Sequence, residues 1–158
     1  MRAAVGAAMA AVLASCIVVP VPGQPASTVA RPTRAADGAE ADFIARLDAE
    51  RARIGCPRLV ADATAAALAR AHSADMERRG FFDHTNPDGA SPFDRMRAAG
   101  IRYTAAAENI AQGPVTGGDA YRLWHNSAGH RRNMLDCRYT HHGLGVSGTT
   151  WTQVFYRP

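Results

Sequence analysis

The apolar side chains Phe43, Ile44, Leu47 and Ile54 recur at helical spacing, which predicts a first helix over Ala41–Arg53. Gly55-Cys56-Pro57 breaks it. Ala65, Leu68, Ala69, His72 and Met76 fall on one face of a second helix, with Asp62 as its N-cap and Gly80 as its stop. That face turns His72 towards the core. Phe81–Ala90 is polar and turn-rich around Asn86-Pro87-Asp88-Gly89. Ser91-Pro92-Phe93-Asp94 then opens a third helix. Serine caps, proline takes the first helical position, and the acid completes a capping box before Gly100 ends the segment. Ala105–Gly113 reads equally as strand or loop. Thr116 or Asp119 starts a fourth helix through Tyr121, Leu123 and Trp124, passing into a polar, glycine-containing turn at Ser127–His130. From there the pattern alternates. His142, Leu144 and Val146 point one way, Ser147-Gly148-Thr149 turns, and Trp151, Val154 and Phe155 return, which predicts a β-hairpin. Helices first and antiparallel strands last indicate a layered α+β domain.

The N-terminal end has a different texture. Arg2 precedes an apolar, small-residue run from Ala3 to Val19 that ends at Pro20 and Pro22, so residues 1–22 read as a secretory signal rather than a membrane span or a buried helix. Residues 23–38 lack any apolar period and read as a disordered linker, leaving 39–158 as the folded domain. Leu13-Ala14-Ser15-Cys16 matches a bacterial lipobox, which makes Cys16 a candidate lipidation site. Cleavage and release is the alternative. The expected location is therefore extracellular, or the cell surface as a lipoprotein. Membrane contact is then expected only through that anchor.

A chain of 158 residues holds one ordinary domain, and an apolar fraction of 47% with 20% charged residues fits a globular core. The net charge of +4 is carried entirely by scattered arginines, with no cluster of the kind a nucleic-acid partner needs. Outside the signal only Cys56 and Cys137 remain. In an exported chain one disulfide is the simplest use for them. A two-cysteine metal site is the alternative, but neither cysteine has a CxxC partner or a nearby histidine.

Four stretches hold most of the reactive side chains: Phe81-Phe82-Asp83-His84, Ala107-Glu108-Asn109-Ile110, Trp124-His125-Asn126-Ser127-Ala128-Gly129-His130 and Trp151-Thr152-Gln153-Val154-Phe155. Together with the His72-Ser73-x-Asp75-Met76 helix, in this order, they resemble the short bacterial branch of the CAP superfamily, the cysteine-rich secretory, antigen 5 and pathogenesis-related proteins. The likeness runs from about Phe43 to Phe155. It implies a three-layer α-β-α sandwich and a cleft tetrad of two histidines and two acids, able in some members to hold a divalent metal. His84 matches the first histidine and Glu108 the first acid. Ser127 stands at the second acid and Thr150 at the second histidine, so half of that tetrad is replaced. The resemblance offers His130, from the Gly-His-Arg turn, as another cleft histidine.

His84, Glu108 and His130 would make a two-histidine, one-carboxylate set able to hold zinc with open positions. A structural polar cluster in which His130 fixes its turn is the alternative, and no cofactor is then required. His72 reads as a satisfied core histidine and His125 as a surface one. His141 and His142 alternate along a strand, so at most one faces the cleft, and His142 is the weaker candidate beside Ser127. Ser127 near His130 suggests a serine–histidine pair, but no acid is assigned to orient it and no nucleophile elbow is present. The resemblance favours a non-enzymatic extracytoplasmic module that binds a lipid or another envelope or host ligand. A metal-dependent, protease-like hydrolase built on the same cluster is the alternative.

Overall fold

The computed structural model describes Arg34–Pro158; the signal at 1–22 with Cys16, and the linker as far as residue 33, lie outside the described residues. Nine elements follow in order: α1 (Arg34–Arg53), β1 (Val60–Ala61), α2 (Ala63–Arg79), α3 (Pro92–Ala98), β2 (Ala105–Gln112), α4 (Gly117–Asn126), α5 (Ala128–Leu135), β3 (His141–Ser147) and β4 (Thr150–Arg157).

α1 starts upstream of the Ala41 expected from its apolar period, so residues 34–38 are helix and not the end of a linker. The reason is that periodicity reports burial. Phe43 and Leu47 are buried, whereas Asp37 and Gly38 are exposed, and that first turn is held by alanine propensity and an acid at its N-terminal end. The other caps form as read. Asp62 accepts from Ala65 N–H at 2.7 Å, Gly80 closes α2 with φ 66°, and Ser91 and Asp94 form the capping box of α3. Ala105–Gln112 is a strand. The turn expected at Ser127–His130 is a correction: a single residue, Ser127, separates α4 from α5, and His130 lies within the second helix. Gly129 suggests a break, but Ala128, Arg131, Arg132, Met134 and Leu135 are good helix formers and the glycine is merely tolerated.

The sheet order is β1-β3-β4-β2, with β1 parallel to β3 and the remaining pairs antiparallel. β1 is two residues long, too short for any alternation to announce it. β4 occupies an inner position and is buried from Thr150 to Tyr156. Its alternate side chains serve two different cores. Trp151 and Phe155 pack with Phe43, Leu47, Trp124 and Met134 from α1, α4 and α5. Val154 and Tyr156 pack with Ala65, Leu68, Ala69 and Met96 from α2 and α3. Helices thus cover both faces, giving a three-layer α-β-α sandwich.

Two features lock the layers. α2 lies directly on β3, because Gly143 and Gly145 leave no side chain between the strand and the helix backbone at Ala65, Ala66 and Arg70. On the opposite face, Arg51 is fully buried and donates to four main-chain carbonyls: Pro57 at 2.9 Å, Met134 at 2.8 Å, Asp136 at 3.2 Å and Tyr139 at 3.2 Å. The Cys56–Cys137 disulfide lies between those same segments and spans 81 residues of sequence with Cα atoms 5.1 Å apart. On a chain-entropy account a loop of this size stabilises the fold by about 4 kcal/mol.

Candidate functional site

Glu108 stands opposite Val154 in the β2–β4 register, which turns its side chain to the face covered by α2. Its carboxylate is 1% exposed, and both oxygens are engaged. His84 Nδ1 donates to Oε1 at 2.9 Å and Arg95 Nη2 to Oε2 at 2.7 Å. Arg95 comes from α3, and its Nη1 also donates to the carbonyls of His84 at 2.8 Å and Ala90 at 3.0 Å. One guanidinium therefore ties the His84 stretch and the Ala90 end of the Phe81–Ala90 loop to the sheet. The loop holds its own shape as well. Thr85 N–H donates to Asp83 Oδ1 at 2.7 Å, Ala90 N–H donates to Asn86 Oδ1 at 2.8 Å, and Gly89 takes φ 82° in the turn.

The His84 ring is about half exposed, at 48%. Its hydrogen bond to Glu108 raises its pKa above the ordinary 6.5, against the opposing effect of partial burial. A raised folded-state pKa means that the contact stabilises the fold fully below pH 6.5 and loses that contribution as pH rises through the folded value. The stability gap between the parent and His84→Ala should accordingly be widest in mild acid and narrow towards alkaline pH. Denaturant midpoints across pH 5–9, with NMR titration of the His84 ring in the parent and in Glu108→Gln, check this. A His84 midpoint unchanged in Glu108→Gln would sink the assignment.

His72 is buried as expected, and its Nε2 donates to the Asp83 carbonyl at 3.1 Å. It is also part of the site, with Nε2 4.0 Å from Glu108 Oε1. Burial lowers its pKa, against the raising effect of the Glu108 carboxylate, and Nδ1 has no hydrogen-bond partner. The satisfied core histidine read from the sequence is therefore satisfied on one side only.

Burial lowers the pKa of His130, and the nearby His84 lowers it further. Its Nδ1 shares a 2.9 Å hydrogen bond with Ser127 Oγ, an interaction within the α4–α5 junction. Asn109 and Asn133 close that junction, Asn109 Nδ2 donating to the His130 carbonyl at 3.0 Å and Asn133 Nδ2 to Asn109 Oδ1 at 2.9 Å. His142 is a correction. It stands opposite Phe155, so it lies on the other face of the sheet from Glu108, where Gln153 Nε2 donates to its Nδ1 at 3.1 Å. Burial lowers its pKa to about 4. His141 stacks on Tyr156, and His125 on Tyr121, with Nε2 3.6 Å from Glu50 Oε1. Thr150 donates to Glu77 at 2.5 Å.

The arrangement brings His84 and Glu108 together but does not fit zinc. A guanidinium already sits on one oxygen of the carboxylate and His84 on the other. Among the described residues no three His, Cys, Asp or Glu side chains are gathered as a metal set. Arg95 and His72 are the members that the sequence reading missed. The signal for Arg95 was its place beside Met96, at the edge of the buried face of α3. For His72 it was a lone ring among alanines, opposite a strand that carries an acid.

A model of the Cysteine-rich secretory protein family (CAP) matches residues 44–156. The chain is 46% identical over 110 residues to Uncharacterized protein YkwD of Bacillus subtilis (strain 168), covering 68% of this chain and 43% of that protein. It thus spans less than half the length of that curated relative. Among solved structures, it is similar to an extracellular protein containing a SCP domain from Bacillus anthracis str. Ames, with a TM-score of 0.72 and 33% identity over 75% of this chain and 40% of that one. It also shares the fold of an outer surface protein from Borrelia burgdorferi, with a TM-score of 0.68 and 15% identity over 75% of this chain and 91% of that one.

Proposed function

Because the chain belongs to the cysteine-rich secretory protein (CAP) family, we propose that it is a non-enzymatic, extracytoplasmic binding module whose polar cleft engages a lipid or another envelope or extracellular ligand. The observation that carries this reading is the commitment of Glu108. A carboxylate neutralised on both oxygens, by Arg95 and by His84, is poorly placed to act as a general base or a metal ligand. It is well placed to hold the His84 loop rigid at the edge of the cleft. The reading requires no metal and no nucleic acid. It places the domain outside the cytoplasm through the segment at 1–22, with Cys16 as the anchor where lipidation occurs. The similarity to an extracellular protein and to an outer surface protein supports that location. No helix among the described residues is long and apolar enough to cross a membrane.

Native mass spectrometry of the purified protein tests it, with micromolar zinc and a lipid extract offered to the parent, His84→Ala and Glu108→Gln. The expected result is no stoichiometric zinc, and a ligand adduct that survives chelator. One tightly held zinc in the parent, lost in both variants, would overturn the reading in favour of a metal-dependent hydrolase.

A further inference from the structure

β2 is an edge strand, so half of its main-chain groups point away from the sheet. The hydrogen bonds fix which half. Asp62 N–H donates to the His142 carbonyl at 2.8 Å, so His142 faces β1 and the residues on either side of it face β4. Thr140 N–H donates to the Tyr156 carbonyl at 3.1 Å, so Tyr156 faces β3 and Phe155 faces β2. Phe155 stands opposite Ala107, and Gly113 N–H donates to the Thr149 carbonyl at 2.9 Å. The odd-numbered residues of β2 therefore bond to β4, and Ala106, Glu108, Ile110 and Gln112 turn N–H and C=O outward. At Ile110 the outward carbonyl is taken, because Trp124 Nε1 donates to it at 3.0 Å and α4 closes that end of the edge. At Ala106 and Glu108 no main-chain donor or acceptor among the described residues meets the outward groups. Those groups are not sealed in. Ala105, Ala106 and Ala107 are partly exposed. Glu108 keeps 7% of its surface although its side chain keeps 1%, so what stays open there is main chain.

This stretch lacks the devices that usually protect an edge. β2 pairs with β4 in unbroken register, with no bulge, and the open end carries three alanines and no proline. Its one charge, Glu108, is turned onto the α2 face and neutralised by Arg95 and His84. Ala106 and Glu108 thus offer two donors and two acceptors, repeating at about 6.7 Å along the strand. A metal ion, a phosphate headgroup or an acyl chain cannot meet both kinds of group at that repeat. An extended polypeptide meets them with every second residue. The place is also narrow. Glu108 lies recessed between His84 on one face of the sheet and the Asn109–His130 junction on the other. Two copies of so recessed an edge cannot close to the ~4.8 Å of paired strands, whereas one slender segment can. We propose that the edge of β2 at Ala106–Glu108 is a β-augmentation site, which takes one extended, proline-free segment of an extracellular polypeptide as a fifth strand, its pairing ending before Ile110.

This deepens the binding-module reading and rests on it. The probe is a randomised heptapeptide display pool, selected on the purified protein. Ala106→Pro removes an outward N–H that the β2–β4 ladder does not use, a change that edge strands tolerate, so this variant keeps the parental circular dichroism. The selected peptides, re-synthesised, are expected to bind the parent saturably with a dissociation constant on the order of 100 µM or tighter, and Ala106→Pro at least about tenfold more weakly. On binding, the Ala106 and Glu108 amides shift in NMR and gain protection from hydrogen exchange, while those of Ala107 and Asn109, already bonded to β4, gain little. N-methylation of the peptide along both of its edges abolishes binding, a readout that stands even where Ala106→Pro fails to fold. No enrichment of any peptide on the parent overturns the site, and so do N-methylated peptides that bind as well as the unmodified ones. A concentration-dependent dimer that protects the same two amides overturns it in favour of a second copy. A lipid adduct in the mass spectrometry above, with no peptide selected, overturns this deepening and leaves the binding-module reading standing. Stoichiometric zinc overturns that reading whatever the peptides do.

Discussion

Gly145→Val is expected to yield no stably folded protein. Residue 145 lies on β3 directly beneath α2, where an added Cβ meets the backbone of Ala69 and Arg70. Backbone atoms cannot rotate aside as a flexible side chain would. The helix would have to lift off the sheet, which breaks the bonds from Ser73 Oγ to the Gly145 carbonyl and to Thr152 Oγ1, both 2.9 Å. It would also open the core built on Ala65, Leu68 and Ala69. Ordinary overpacking by a methylene or two costs about 1–3 kcal/mol. A collision between strand and helix main chains that cannot relax should exceed about 4 kcal/mol, most of the margin of a small domain. Far-UV circular dichroism and a urea midpoint decide it, with Gly129→Ala as the control. A Cβ at Gly129 meets nothing within 4 Å, so that variant should match the parent or gain up to about 1 kcal/mol in helix α5. A Gly145→Val protein with a parental midpoint would show that α2 can be displaced cheaply.

Arg51→Met should cost about 4 kcal/mol, the upper part of the range for breaking a buried polar network. Methionine keeps much of the volume but leaves the carbonyls of Pro57, Met134, Asp136 and Tyr139 facing an apolar chain. The charge itself is costly to bury, and burial lowers its pKa, with Asp136 and Asp48 opposing that effect. Neutral replacements such as Arg51→Gln should recover part of the loss through one or two of the four bonds. The disulfide joins the same segments, so removing both Arg51 and the bridge should be less than additive. Urea titrations of the parent, Arg51→Met, Cys56→Ser/Cys137→Ser and the combined variant form the cycle. Strict additivity would mean that the two features act independently.

The legible parts of this fold are those written in local chemistry. Asp62, Gly80 and the Ser91/Asp94 capping box are short-range devices, and each forms where the sequence places it. The hairpin is legible because alternation reports one face at a time. Long-range pairings are not. β1 has only two residues and exists because β3 lies beside it, and helix resumes at Ala128, directly after Ser127, although the composition there suggests a turn. The site follows the same rule. His84 and Glu108 can be named from the family resemblance, and their 2.9 Å bond joins them. Arg95 and His72 cannot, because an arginine on a short helix and a histidine among alanines acquire their roles only when α2, α3 and β2 converge on one carboxylate. For His142 the alternation shows that one of two neighbouring histidines faces the cleft side, but only the strand register decides which, and it turns His142 to the opposite face.

The sheet order has a consequence for how the protein is made. β2 is bonded to no strand but β4, and β4 follows it in sequence with two helices and β3 in between. A nascent chain that has emerged as far as α5 therefore holds helices and two strands, β1 and β2, whose partners are still to come. Both cores wait for Trp151, Val154, Phe155 and Tyr156, and the bridge to Cys56 waits for Cys137. Closure of the domain is thus postponed to the arrival of the β3–β4 hairpin, which keeps this stretch of polypeptide open until β4 has been synthesised.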